Sequence, residues 1–208
     1  MNPEKKTKIA EMLALVVSCA AMLVIIGWIF NIPFLKSLSP SWVTMKFVAA
    51  VAFLLSGVSL YFIVRAKQGL FDQAQVILFI VALILVLYMG LFLFSILFKI
   101  ETNIEDLLIH DANPVKTAAP GQPSLFTIIN FLLIALADIF TILNPERLAS
   151  KLRVIGFLVG AIGAIAVMGY ILNVPILYYY MPGFNTAMAC HTAILFVLLG
   201  VGLLCLSD

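Results

Sequence analysis

Six apolar runs, at about 11–30, 43–64, 76–98, 124–143, 154–172 and 185–206, decide the solvent of this chain. Each is close to the roughly 20 residues a helix needs to cross about 30 Å of hydrocarbon. In lipid each must be helical, because an isolated strand would leave its backbone groups unpaired. The composition agrees: 64% of residues are hydrophobic and 11% charged, against about 45–50% and 25% in soluble domains. The expected fold class is therefore an all-α integral membrane bundle of six transmembrane helices, one domain over residues 1–208. The lipid bilayer is its first partner. A net charge of +2 is too small and too dispersed for nucleic acid.

Basic residues orient the spans. Lys5, Lys6, Lys8, Arg65, Lys67, Arg147, Lys151 and Arg153 fall on one side, and Lys36, Lys46, Lys99 and Lys116 on the other. This places both termini in the cytoplasm and the protein in the cell inner (cytoplasmic) membrane, with three longer loops outside. Val16-Val17-Ser18-Cys19 resembles a lipoprotein cleavage box. Apolar sequence runs on to Phe30, so we read the stretch as a retained span. Cys19, Cys190 and Cys205 lie in apolar runs and read as small core hydrophobes.

The spans repeat. Gly27-Trp28-Ile29-Phe30-Asn31-Ile32-Pro33 has a second copy in Gly169-Tyr170-Ile171-Leu172-Asn173-Val174-Pro175. Met45 with Phe53-Leu54-Leu55-Ser56-Gly57 is matched by Met188 with Phe196-Val197-Leu198-Leu199-Gly200. A weaker third copy runs from Thr127 through Phe131 to Ala135. Self-similarity at this spacing means a duplicated unit, here three out-and-back hairpins at about 11–64, 76–143 and 154–206. All three returning helices carry a small residue four positions after the Phe, where another helix can approach closely.

The short outer loops carry Asn-x-Pro, which ends the outgoing helix. Trp28, Trp42, Tyr170, Tyr178, Tyr179, Tyr180 and Phe184 then fall at the outer interface, where amphipathic rings prefer to sit. The middle loop, 99–123, is acidic, and residues 103–110 could form a short surface helix. Within it, Asp106 and His110 are four apart and share a helical face. Two such side chains make an incomplete metal site, and a solvated acidic face is the simpler reading.

His191 is the one histidine inside a predicted span, about seven residues in, or roughly 10 Å deep. With Met188 one turn before it and Cys190 adjacent, a haem or soft-metal site is imaginable. A neutral imidazole hydrogen-bonded to a neighbouring helix explains it more simply, so no cofactor is assigned. Asp138 lies near the cytoplasmic end of its span, with Arg147 or Lys151 as expected partners. Asn130, mid-helix, reads as interhelical glue. Nucleophile-elbow, zinc-protease and phosphate-loop motifs are absent, so the chain is not expected to be an enzyme. Helices unbroken at the midplane and parallel repeats weigh against a transporter.

Asn31-Ile32-Pro33-Phe34-Leu35-Lys36-Ser37, Met45 and Ala52-Phe53-Leu54-Leu55-Ser56-Gly57, matched by Met188, Thr192, Ala193, Phe196 and Gly200, resemble the membrane-associated sensor regions of bacterial and archaeal histidine kinases and diguanylate cyclases. Leu107-Leu108 with Pro114 and Pro123 resembles their middle loop. The resemblance covers residues 20–206 and carries no ligand residues with it. It implies reception of an outside or membrane-dissolved signal, relayed to a cytoplasmic output domain or partner. The sequence stops where such an output domain would begin.

The leading expectation is thus a six-helix sensor module, homo-oligomeric or bound to a signalling or membrane partner. Its ligand residues are expected among Trp28, Asn31, Trp42, Tyr170, Asn173, Tyr178, Tyr180 and His191, and helices two and six would carry the motion. The alternative is an accessory subunit of a respiratory or photosynthetic complex, and the third reading is a small transporter.

Overall fold

The computed structural model describes residues 2–39, 42–99, 121–143, 147–180 and 186–207. All its regular structure there is helical: α1 (Pro3–Ile29), the single turn α2 (Pro33–Lys36), α3 (Phe47–Lys67), α4 (Phe71–Phe98), α5 (Leu125–Leu143), α6 (Leu148–Leu172), a 3₁₀ turn (Pro175–Tyr178) and α7 (Cys190–Cys205). Five of these, α1, α3, α4, α5 and α6, are long and apolar enough to cross a membrane; α7 is apolar but only 16 residues long. The acidic middle loop with Glu101, Glu105, Asp106, His110 and Asp111, and the loop residues 181–185, lie outside the described residues.

Helix ends depart from the apolar runs in two directions. α1, α4 and α6 begin five to eight residues before the expected spans. Those extra turns hold Glu4, Lys8, Lys151 and Arg153, good helix formers, and Asp72, suited to a first turn; hydropathy excludes them because they belong outside the hydrocarbon. Asn2 starts α1 by accepting the Glu4 amide at 3.2 Å, with Pro3 in the first helical position. α7 instead begins later than expected, at Cys190. Residues 186–189 are non-helical, and the Met188 amide is spent on the Tyr178 carbonyl at 3.0 Å.

Helices adjacent in sequence pack in pairs: α1 on α3, α4 on α5, α6 on α7. The first helix of each pair also touches a helix of another pair, α1 on α7, α4 on α3 and α6 on α5. The six therefore close into a ring with α3, α5 and α7 inside. Burial follows that placement: 61% of the apolar stretch of α3 and 50% of α5 is buried, against 33% for α1, α4 and α6. The outer faces keep large apolar residues such as Phe79, Leu87 and Phe157 exposed, as lipid contact requires. Cys19 is one of these outward residues, not a core hydrophobe; Cys190 is buried.

At the centre Phe53, Phe131 and Phe196 meet, all fully buried, with ring centroids 4.8, 4.7 and 5.0 Å apart. Asp138 lies two turns beyond Phe131 and so shares its inward face. It is fully buried and accepts the Ser59 hydroxyl of α3. This corrects the expected pairing with Arg147 or Lys151; the Lys151 ammonium instead sits 4.2 Å over the Phe140 ring.

Small residues set the hairpin spacing. A Cβ on Gly57 would lie 2.2 Å from the Ser18 hydroxyl and 2.9 Å from the Ala14 carbonyl. One on Gly200 would lie 2.6 Å from the Gly160 backbone and 2.7 Å from the Gly156 carbonyl. Gly156 and Gly160 are a G-x-x-x-G pair, the spacing at which two helix backbones can touch in lipid.

Candidate functional site

The loops that follow α1 and α6 are built alike. Asn31 and Asn173 both take the left-handed conformation, φ 52° and 58°, which turns the chain out of the helix. The next amide reaches back in each case, Ile32 to the Gly27 carbonyl at 2.8 Å and Val174 to the Gly169 carbonyl at 2.9 Å. Pro33 and Pro175 then start one tight turn each. These turns fold back onto the glycines so closely that a Cβ would meet Leu35 Cβ at 2.5 Å or Leu177 Cβ at 2.7 Å. The returning strand of each loop is tied to the turn, Met45 amide to Lys36 carbonyl at 2.9 Å and Met188 amide to Tyr178 carbonyl at 3.0 Å.

The aromatic residue after each glycine closes the unit. Trp28 Nε1 donates to the Met45 carbonyl at 2.9 Å, and the Tyr170 hydroxyl donates to the Met188 carbonyl at 2.8 Å. Both carbonyls lie just before a helix, α3 or α7. Removing either donor, by Trp28→Phe or Tyr170→Phe, leaves a shielded carbonyl without that partner. We expect each to cost about 1–3 kcal/mol, read as a lower unfolding midpoint in mixed micelles. A change confined to one of the two would break the proposed equivalence of the loops.

The two loops also meet each other. Trp42 packs on Tyr170 at 5.1 Å, and Tyr170 stacks on Tyr178 at 4.4 Å with rings 21° from parallel. Trp28 is nearly buried on the first loop, tied to Met45 and with the Lys36 ammonium 4.8 Å over its ring. Thus Trp42, Tyr170 and Tyr178 pack together, and Trp28 closes the first loop through Met45 and Lys36. Asn31 and Asn173 do not contribute to this packing: both are exposed, and Asn31 Oδ1 accepts the Lys36 ammonium at 2.7 Å. Their role is the turn itself. Tyr180 is half-buried and anchored through its amide to the Pro175 carbonyl at 3.1 Å.

His191 is the second residue of α7, not seven residues into it. The imidazole lies beside the Lys36 backbone carbonyl of the first loop. Both ring nitrogens are shut from solvent, and among the described residues neither makes a well-formed hydrogen bond, the Lys36 carbonyl being the backbone acceptor they face. Met188 is buried but sits in the extended segment before the helix. Among the described residues no group of three histidine, cysteine or acidic side chains gathers to hold a metal; Asp106 and His110 fall outside them. Asn130 has both amide atoms buried and, among the described residues, without a hydrogen-bond partner, so no hydrogen bond there carries the expected interhelical glue.

Two contributors stand outside the expected ligand residues, Thr44 and, although expected at the outer interface, Tyr179. Thr44, beside Met45, buries a hydroxyl that has no partner among the described residues. Tyr179 donates to the Ile162 carbonyl at 2.8 Å and stacks on Phe126 at 4.0 Å, tying the third loop to α6 and α5. Burial pushes its hydroxyl above the ordinary tyrosine range. Its left-handed backbone, φ 63°, gave no sequence signal beyond a tyrosine run. Comparison with family models, with curated proteins and with solved structures finds no match to this chain.

Proposed function

We propose that the chain is a receptor-like sensor of six spans, arranged as three repeated hairpins around a pseudo-threefold axis through the Phe53–Phe131–Phe196 cluster. Both termini lie on the basic, cytoplasmic side of the cell membrane. The sensed molecule is apolar, dissolved in the membrane or arriving from outside, and carries one hydrogen-bonding group. It acts by binding, without catalysis. The observation that carries this reading is His191: a shielded imidazole that faces the Lys36 carbonyl but has neither nitrogen in a well-formed hydrogen bond among the described residues, three residues beyond the carbonyl that Tyr170 holds. A buried polar group left unpaired is costly, and a ligand that pairs with it recovers that cost.

α7 is suited to pass the event on. Its outer end touches the first loop at Lys36, and its middle packs on Phe53 through Phe196. Its inner end is tied to α3 by Lys67 donating to the Leu206 carbonyl, and to α6 by Arg153 donating to the Ser207 carbonyl at 3.1 Å. A shift at His191 therefore reaches the inner ends of α3 and α7, where a cytoplasmic output domain or partner would read it.

Trp28 and Trp42, the two tryptophans of the chain, flank the site and provide the assay. In lipid nanodiscs, titration with a panel of membrane-soluble quinones and aromatic alcohols should give a saturable fluorescence change. His191→Leu should weaken it about tenfold, the worth of one buried hydrogen bond. Equal binding by the variant, or no saturable response across the panel, would sink the reading. A Soret band lost in His191→Ala would replace it with a haem site, and recovery in fixed stoichiometry with a redox complex would replace it with the accessory-subunit reading.

A further inference from the structure

Away from the loops, α1 and α3 enclose a groove of about 540 Å³ that opens on the outer face of the bundle. It is bounded by Lys8 at one end and Ser18 at the other. Ten residues of helix cover about 15 Å, half the thickness of a hydrocarbon core and the depth of one leaflet. The blind end is closed where Gly57 meets Ala14 and Ser18. The walls are Leu15, Val58 and Phe62, and Leu15 is exposed.

The open end carries both signs of charge. Lys8 and Glu11 line it together, and Lys8 is held at 2.7 Å by Glu4. Tyr61 stands opposite, its hydroxyl fixed by two Arg65 nitrogens at 2.9 and 2.6 Å. Because that oxygen only accepts from Arg65, its own proton is available to a phosphate or ester oxygen. An apolar slot one leaflet deep, ending in a cation, a carboxylate and a hydroxyl donor, matches an amphiphile with a zwitterionic head.

We propose that this groove is a binding site for one phospholipid with an amine-bearing headgroup. An acyl chain lies along Leu15, Val58 and Phe62, the phosphate meets Lys8 and the Tyr61 hydroxyl, and the ammonium meets Glu11. A purely anionic head would satisfy Lys8 but face Glu11 unfavourably. The site is independent of the sensing reading, since it shares no residue with the loops.

The test is native mass spectrometry of the full chain, reconstituted in vesicles of equal phosphatidylethanolamine and phosphatidylglycerol and re-extracted in mild detergent. One phospholipid should remain per chain, with the ethanolamine lipid enriched about threefold, the scale an exposed ion pair supplies. Leu15→Trp changes an exposed residue and fills the slot without disturbing the core, so it should abolish retention; Val58→Trp should do the same. Glu11→Gln should keep the lipid but lose the preference. No retained lipid in the wild type, unchanged retention in Leu15→Trp, or a preference for phosphatidylglycerol would overturn the proposal. So would a dimer dissociated by Leu15→Trp, which would assign the groove to a second copy of this chain.

Discussion

Gly200→Ala is expected to lower the unfolding midpoint by the equivalent of about 1–3 kcal/mol, and Gly200→Leu to prevent recovery of folded protein. The added Cβ would lie 2.6 Å from the Gly160 Cα and amide nitrogen and 2.7 Å from the Gly156 carbonyl. Those atoms are backbone of a long helix and cannot swing aside as a side chain would. The two helices would have to separate, and in lipid their association rests on close packing. Separation would also pull Phe196 from the central cluster and the start of α7 from the first loop. Gly160→Ala is the internal control. It belongs to the same glycine seam, yet its Cβ would meet Gly200 Cα at an ordinary 3.6 Å, so it should be tolerated. Gly90→Ala, with nothing within 4 Å, should not destabilise. Equal midpoints for Gly200→Ala and Gly160→Ala, read by circular dichroism in detergent, would refute the directional contact.

This asymmetry is partly legible in the sequence and partly not. The small residue four places after each Phe is visible, because membrane helices approach only where side chains are small. Which side of a glycine faces its partner depends on the crossing, and that needs coordinates. The start of α7 teaches a similar lesson. Thr186-Ala187-Met188-Ala189 is apolar enough to continue a helix, but a hydrogen bond to the preceding turn holds Met188 extended. Hydropathy cannot see that bond. The first copy contains the same device at Met45, so the repeat held the information and the apolar count overrode it. Asp138 is the opposite case. Its seven-residue distance from Phe131 already fixes it on the core face. Proximity to basic residues along the chain proved a poor guide against that periodicity. In the candidate site, the interface preference of aromatic rings brought Trp42, Tyr170 and Tyr178 into one neighbourhood. Asn31 and Asn173 were read as ligand residues only because they sit beside them; their positive φ angles make them turn-formers.

The central phenylalanines should be the costliest side chains to remove. Phe53, Phe131 and Phe196 are each fully buried, and truncating a buried Phe to Ala costs about 3–5 kcal/mol. Little of that is hydrophobic transfer here, since lipid is as apolar as the core. The loss is the contacts of the ring and the cavity left behind, which the surrounding helices cannot fill without rotating. The three rings make three edge or tilted pairs, at interplanar angles of 70°, 50° and 60°, each worth about 0.5–1.5 kcal/mol beyond simple burial. Any single truncation breaks two pairs, whereas a double truncation breaks all three and not four. The double variants should therefore fall short of the summed singles by about one pair energy, 0.5–1.5 kcal/mol. If the hairpins surround a pseudo-threefold axis, the three singles should agree within about 1 kcal/mol of one another. Unfolding in mixed micelles measures all six variants on one scale. Strict additivity would mean the rings do not form one cluster. A near-silent change at Phe131 alone would remove the middle hairpin from the symmetric set, leaving the other two as the only equivalent pair.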